Sequence, residues 1–517
     1  MADTPAALAG QELDLVVVGG GITGAGIVRL AARQGLNVAL LEQDDFASGT
    51  SSRSSKLVHG GLRYLSHGQL RLTAESVRER EALLAQAPGL VERQPFVFPV
   101  FRGQKPGISV TRTGLRLYDL MAGRRCSRRL GWQELDALAP GLATRDLTGV
   151  LYFEDASTDD ARLVLRLLAE ARAAGAQVFN YCRVESFQRD GGRVVGLTWR
   201  DLASGATGEL RARQFINAGG VWAPQLAGPT APAMRALRGS HLIFDARRLP
   251  LPAAVSFVHP QDRRPVFAYQ WEGISLLGTT DLDHREDLAD EPGISPPEVD
   301  YLLRAAAHAW PAARLTMTDV RASYCGVRSV LDSGAARPSD ESRESAQWQE
   351  PGLLSVTGGK LTTFRVTALK ALAALGWADD ALRRAPVLDS APVPSRPPGV
   401  DAAQWRRLAG RYGAALEQLA AAAQPGDFAA VGGSVCCWAE LRHAALHESV
   451  RHLDDLLLRR SRLGLVLPDA CRGQMAQIRA VCQEALGWDD RRWGNEEGAW
   501  YRRWQENYFL PREVQRS

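Results

Sequence analysis

Gly19, Gly21 and Gly24 stand in the spacing G-x-G-x-x-G, directly after the apolar run at 14–18 and at the start of a helical pattern. That arrangement suits a pyrophosphate. The first glycine permits a tight turn, the second lets the backbone approach the phosphates, and the third lets the helix pack closely on the strand. The N–H groups and partial positive charge of a helix N-terminus add to the attraction. Glu42 lies 23 residues after Gly19. A carboxylate there accepts hydrogen bonds from ribose hydroxyls and repels the 2′-phosphate of NADP.

These residues need a βαβ unit to hold them. Residues 14–18 read as a buried strand, the stretch after the glycines as a helix, and 37–42 as a second strand. A serine-rich loop follows at 48–56, then helical spacing at 70–86 and again at 159–174. Turn signals at Asp190-Gly191-Gly192 and Ser204-Gly205 mark hairpin-like strands. Residues 215–220 read as a buried strand entering a glycine turn. From 235 to 335 the pattern is strand-rich, with a helix near 296–309, and 353–374 reads as strand, Gly-Gly turn and helix. The proline-rich 391–401 reads as a linker, after which the pattern is helical. The expected fold is α/β: a Rossmann-like dinucleotide domain, an interleaved antiparallel-sheet substrate domain and a C-terminal helical domain. The division places an oxidoreductase region at 1–390, with cofactor segments about 12–100, 150–235 and 350–380. Substrate segments fall at about 100–150 and 235–350, and the helical domain at 402–517.

Composition narrows the class. A chain of 517 residues with 45% hydrophobic and 23% charged residues is ordinary for a globular protein that buries a large core. The net charge of +4 gives no reason to expect nucleic acid. Seven scattered cysteines, without C-x-x-C or metal-ligand spacing, point to reduced thiols, a cytoplasmic setting and no metal. The N-terminus lacks the pattern of a secretory signal, and no apolar run is long enough for a transmembrane helix, so membrane contact is expected to be peripheral. Only four of the 62 basic residues are lysines, Lys56, Lys105, Lys360 and Lys370, and two of these fall in motifs. The arginine-rich stretch 102–129 has apolar residues between its charges. It reads either as a basic surface for anionic lipid or as an ordinary solvated loop and helix.

The long reach of the glycine turns bears on which dinucleotide is held. Turns after strand-like runs return far downstream, at 217–222 (NAGGVW) and 356–365 (VTGGKLTTFR). Such late returns suit a long cofactor crossing a whole domain, and favour FAD over NAD. With VVVGGGITGAGI, TSSRSSKLVHGGLRYL (50–65), GSHLIF (239–244), LLGTTD (276–281), YCGVRS (324–329) and VTGGKLTTFR, the chain resembles the FAD-dependent (aerobic) glycerol-3-phosphate dehydrogenases. The resemblance runs from about 12 to 390 and again around 436–490. It departs at 217–222, where the family tends to a Thr-Gly-Pro-like turn, and at Ser329, where the family often has proline.

The resemblance implies FAD as cofactor, oxidation of glycerol 3-phosphate to dihydroxyacetone phosphate, and a membrane quinone as acceptor. The expected location is cytoplasmic, with peripheral contact on the inner face of the cytoplasmic membrane as an option, and the C-terminal helical region reads either as support for an oligomer such as a homodimer or as a cap over the site. Another polyol phosphate, or an amine or amino acid oxidised on the same fold, is the alternative. Carried onto this sequence, the cofactor set is Gly19, Gly21, Ile22, Thr23, Gly24 and Glu42, then Thr50, Ser51, Ser52, Ser55, Lys56, Leu57, His59, Gly60 and Gly61. Val184, Gly219, Trp222, Asp281, Gly358, Gly359, Lys360, Leu361 and Thr362 complete it, although Asp281 reads more readily as structural. Removing a hydride and a proton from a secondary alcohol needs a base, and His59, with an ordinary pKa of about 6.5, suits abstraction near neutrality. The alternative for His59 is to orient its loop or bond the flavin. His241 is a second candidate base. Arg63, Arg328 and Lys360 are the phosphate or hydroxyl ligands, and Tyr64, Thr362 and Thr363 hold substrate oxygens.

Overall fold

The computed structural model of the protein describes residues 4–62, 68–226, 231–335, 341 and 344–515. Two sheets carry the fold. The first is built on β1 (Glu12–Val18), followed by α1 (Ile22–Arg33) and β2 (Val38–Leu41). β1 pairs in parallel with β2 on one side and with strand Thr207–Asn217 on the other. Thr207–Asn217 in turn pairs in parallel with Leu353–Gly358, and Gln177–Phe179 extends the sheet beyond β2. Parallel strands need crossovers, so this sheet gathers segments from distant parts of the chain.

β1 is apolar throughout its second half because both its faces are covered. Leu15 and Val17 pack with Ile27, Val28 and Ala31 of α1. Leu13, Val16 and Val18 pack on the other side with Leu197, Trp199 and Phe215. That second cover is the hairpin Cys182–Asp190 and Arg193–Asp201, which attaches to Thr207–Asn217 through antiparallel pairing. α1 comes close to its neighbours through small residues. A Cβ on Gly26 would lie 2.8 Å from Phe364 Cδ2, so glycine there lets helix Phe364–Ala374 lie against α1.

The second sheet has ten strands, nearly all antiparallel. Its longest ladders join Val91–Phe101 to Leu147–Thr158 and Met234–Asp245 to Val320–Leu331. One face packs on helix Pro296–Ala309 and Trp310. The other face shares its core with the C-terminal helices: Phe96, Tyr269 and Trp271 pack with Leu456, Leu457, Trp500 and Trp504. Residues 391–401 carry no helix or strand, and the carbonyl of Pro394 accepts a 3.0 Å bond from Trp405 Nε1. Among the described residues no helix is long and apolar enough to cross a membrane. All seven cysteines are unpaired, and six of them are buried.

Candidate active site

At the mouth of the first sheet the chain leaves β1 through Gly19, whose φ of +108° is open to glycine and strained for other residues. A Cβ at this position would also lie 2.5 Å from the carbonyl oxygen of Ala218. Gly21 caps α1, and the N–H of Ile22 donates to Ser51 Oγ at 2.9 Å. Gly24 is pressed so closely on the turn that a Cβ would sit 1.9 Å from the oxygen of Gly19. This is a cradle that side chains would fill. Together with the helix N-terminus it fits the pyrophosphate of a dinucleotide. Glu42 accepts from the N–H of Gly20 at 2.6 Å and of Asp44 at 2.9 Å. Burial and the neighbouring Asp44 push its carboxyl up to about 7.

From this turn one continuous cleft runs past segments that are remote in sequence. Gly19, Gly21, Ile22, Thr23 and Glu42 line it first, then Thr50 and Ser51, then Val184, Gly219 and Trp222. Gly358, Gly359, Lys360, Leu361 and Arg328 line it further on. Trp222 is fixed by its Nε1–H, which donates to the carbonyl of Leu288 at 3.1 Å, and its ring lies 3.0 Å from where a Cβ on Gly49 would be. Gly358 and Gly359 both have positive φ, +70° and +84°, and so deliver Lys360 from the end of a strand to the start of a helical turn.

Two cationic residues of the sequence-derived set, Arg328 and Lys360, therefore meet at one cleft. Arg328 does not enter it unaccompanied. Its guanidinium pairs with Asp281, whose other carboxylate oxygen is 2.7 Å from Arg264. Asp281 is buried and outside the cleft lining, where it orients the arginines. The third cation, Arg63, and Tyr64 lie outside the described residues.

The His59 turn is tied to the Lys360 turn. The N–H of His59 donates to Thr362 Oγ1 at 3.2 Å, and the Thr362 hydroxyl lies 3.2 Å from the His59 carbonyl. Gly60 serves packing on the protein side of this turn: a Cβ there would lie 2.4 Å from Val77 Cγ2. Its N–H donates to Tyr118 Oη at 2.7 Å, and the Tyr118 hydroxyl donates to Asp155 at 2.5 Å. Gly61 follows with φ of +77°. Thr363 is buried in the same helical turn as Thr362.

His241 differs from its expected role. It is buried, stacks on Tyr324 at 4.6 Å, and shares a 2.9 Å hydrogen bond through Nε2 with Ser55 Oγ. Burial, with Lys56 and Arg328 nearby, pushes its pKa down to about 3. That makes it a poor proton acceptor at neutral pH. Ser52, Ser55, Lys56 and Leu57 also stand outside the cleft lining, as do Gly24, His59, Gly60, Gly61, Thr362 and Thr363. Leu57 pairs with Ser157 in a short strand, and Lys56 is sealed in an ion pair with Asp160, where a cation cannot reach a ligand. Among cleft residues not expected from sequence are Ser48, Gly49, Ser54, Cys182 and Ala218. For Cys182 there was a signal, since it lies two positions before Val184 in a strand and so shares its face. The serines carried none that separated them from their neighbours.

A glycine cradle on a parallel sheet, opening into a cleft that ends at one cation from each sheet, defines a dinucleotide-dependent oxidoreductase. Residues 14–375 match the family model for FAD dependent oxidoreductases, and residues 358–493 match the model for the C-terminal domain of alpha-glycerophosphate oxidase. The aerobic glycerol-3-phosphate dehydrogenase of Staphylococcus epidermidis is 33% identical over 483 residues, 87% of this chain and 86% of that one. The enzyme of the same name from Bacillus subtilis is 36% identical over 366 residues, 69% of this chain and 66% of its own. The chain belongs to the aerobic glycerol-3-phosphate dehydrogenase family of FAD-dependent oxidoreductases. Among solved structures, the glycerol-3-phosphate dehydrogenase from Bacillus halodurans complexed with FAD superposes with a TM-score of 0.77 at 28% identity, covering 98% of this chain and 97% of that one. A glycine oxidase from Geobacillus kaustophilus shares the fold at 23% identity and a TM-score of 0.52, covering 73% of this chain and 96% of that one.

Proposed function

We propose that the protein oxidises sn-glycerol 3-phosphate at its secondary alcohol to dihydroxyacetone phosphate and passes the electrons to a membrane quinone. The observation that carries this reading is the meeting of Arg328 and Lys360 on the same cleft as the glycine cradle. Bound FAD supplies the hydride acceptor. The chain supplies the rest. Gly19 to Gly24 and Glu42 would hold the pyrophosphate and ribose, and the 358–361 turn at the other end of the cleft would hold the redox ring. Arg328, kept in place by Asp281, and Lys360 bind the phosphate dianion as a planar fork and a point charge. Arg63, Tyr64, Thr362 and Thr363 add ligands for substrate oxygens. His59, anchored through Thr362, takes the hydroxyl proton. Holding these groups in fixed relation to the substrate supplies much of the rate enhancement.

Anaerobic addition of glycerol 3-phosphate to the purified holoprotein tests this. The flavin band is expected to bleach stoichiometrically, and reoxidation to be faster with a soluble quinone than with oxygen. Bleaching by glycine or sarcosine, with no response to any polyol phosphate, would replace the reading with amine oxidation, which the shared fold of a glycine oxidase keeps in view. Bleaching by a different polyol phosphate alone would shift the substrate within its class.

Contact with a lipid surface belongs to the same proposal. Helix Ile108–Met121 turns Thr111, Leu115 and Tyr118 inward and exposes Val110, Leu117 and Leu120 beside Arg112 and Arg116. Leu120 is 75% exposed and Trp132, in the next helix, 67%. An apolar strip among arginines suits an anionic interface. Flotation with vesicles containing anionic phospholipid is expected to carry the protein, and Leu120→Asp with Trp132→Asp to abolish it.

A further inference from the structure

The cofactor loop 50–56 is held from behind by a cluster of buried charges, and one of them comes from the C-terminal helical region. Asp160, at the start of helix Asp160–Ala173, is its centre. Its carboxylate accepts from the Ser54 N–H at 3.0 Å and the Ser54 hydroxyl at 2.6 Å. Lys56 Nζ lies 3.1 Å from the same carboxylate and donates to the Ser52 carbonyl at 2.9 Å. Arg462 bonds Asp160, reaches Asp159 through Nε at 2.9 Å, and donates to the Ser52 carbonyl at 3.2 Å. Two aromatic rings close the cluster, Tyr324 at 4.7 Å and Trp271 at 5.0 Å from Lys56 Nζ. The Tyr324 hydroxyl donates to the Ser54 carbonyl at 2.9 Å, and the Tyr269 hydroxyl to that of Ser55.

Lys56, Asp160 and Arg462 are all at most 2% exposed. A sealed ion cluster is a poor way to stabilise a core, because desolvation offsets most of the attraction and apolar residues of similar volume serve as well or better. What this cluster does that apolar residues cannot is fix backbone groups. It bonds the Ser52 carbonyl twice and the Ser54 N–H once, while the same loop presents Thr50 and Ser51 to the cleft. We propose that Lys56, Asp160 and Arg462 are positioning residues that set the shape of the cofactor loop, so that the C-terminal helical region governs how tightly FAD is held. The proposal rests on the FAD dependence of the family and not on the choice of substrate.

The test uses the full-length holoprotein and its FAD-stripped form. Replacing Lys56→Met and Asp160→Leu together keeps charge balance and the branching of the acidic side chain, removes the bonds to Ser54, and leaves the Ser52 carbonyl only its bond from Arg462. FAD affinity, read by flavin fluorescence, is expected to weaken about tenfold or more, the loss of one to two charge-assisted bonds. The thermal midpoint of the FAD-free protein is expected to stay within a few degrees of the parent. FAD affinity within twofold of the parent would overturn the proposal. So would a parallel fall in the thermal midpoints of both forms with affinity retained, since that is a purely structural role. If the pair yields no folded protein, Arg462→Lys decides. A lysine keeps the charge but cannot bond Ser52, Asp159 and Asp160 at once. FAD release several-fold faster than in the parent supports the proposal, and an unchanged release rate refutes it.

Discussion

At one end of the cleft, Gly19, Gly21 and Gly24 sit within six residues and shape their own turn. At the other, Arg328 and Lys360 arrive from separate segments; Asp281 holds Arg328 from behind, and the His59 turn is tied to the Lys360 turn through Thr362. The first end depends on what its residues lack, since any side chain would fill the cradle. The second depends on what its residues carry, and on remote groups that aim those charges. The ends therefore differ in how they fail. Damage to the glycine turn is expected to cost cofactor, and damage to the cation end to cost substrate while cofactor stays.

The sharpest way to break that contrast is Arg328→Ala. Loss of a guanidinium fork to a phosphate is expected to lower kcat/KM for glycerol 3-phosphate roughly 100-fold, mainly through KM. The flavin content of the purified protein, read from its absorbance, is expected not to change. Unchanged kinetics would remove Arg328 from the site. Loss of flavin with it would show that the two ends are not separable.

Gly24→Ala probes the other end with a smaller effect. The added methyl would meet the Gly19 oxygen at 1.9 Å, and backbone cannot move aside as a flexible side chain does. Overpacking of this kind costs about 1–3 kcal/mol, which corresponds to FAD affinity weaker by roughly 10–100-fold. With FAD added back to saturation, KM for the substrate is expected to match the parent. An alanine variant that purifies with full flavin would mean that the turn is less constrained than its geometry states.

The same contrast explains what was legible in the sequence. The glycine turn, β1, α1 and the hairpins were readable because spacing within a short window sets their geometry. The convergence of 328 and 360 on one cleft came only through the motifs of a resembling family, because nothing near either residue says which strand lies beside it. The resemblance was also silent about what a residue does once placed. Lys56 stands in the most specific motif, yet it faces Asp160 and not a ligand. Gly60 sits in the same motif and makes room for Val77 and Tyr118. Asp159 and Asp160 open a helix, as capping acids do, and their spacing gives no sign of Arg462 or Lys56.

His241 sharpens the description of the cation end through pH. Its imidazole titrates at about 3 in the folded protein, held down first by burial and then by Lys56 and Arg328. In the unfolded chain it titrates near 6.5. A base with a depressed folded pKa contributes its full share to stability above the unfolded value and loses it as pH falls toward the folded one. Between pH 6.5 and 5 this one group is expected to remove about 1.6 kcal/mol from the unfolding free energy. Denaturant unfolding at the two pH values checks it. The loss is expected to shrink by that amount in His241→Asn, and an identical loss in both proteins would deny that the ring stays neutral.

Glu42 is expected to give the smallest effect, and it tests the end that looks self-sufficient. Its carboxyl is pushed up to about 7 by burial and Asp44 in the absence of cofactor, so near neutrality only part of the population is ionised. Ribose hydroxyls donate more strongly to a carboxylate than to a neutral acid. FAD affinity is therefore expected to rise as pH increases from 6 to 8, by a few-fold, about the difference between a charged and a neutral acceptor. Glu42→Gln keeps an acceptor oxygen without the titration, so its affinity is expected to be flat across that range and to lie below the parent at pH 8. Parent and variant rising together would move the titration to another group. It would also mean that Glu42 serves its own turn, through the N–H groups of Gly20 and Asp44, more than it serves the ribose.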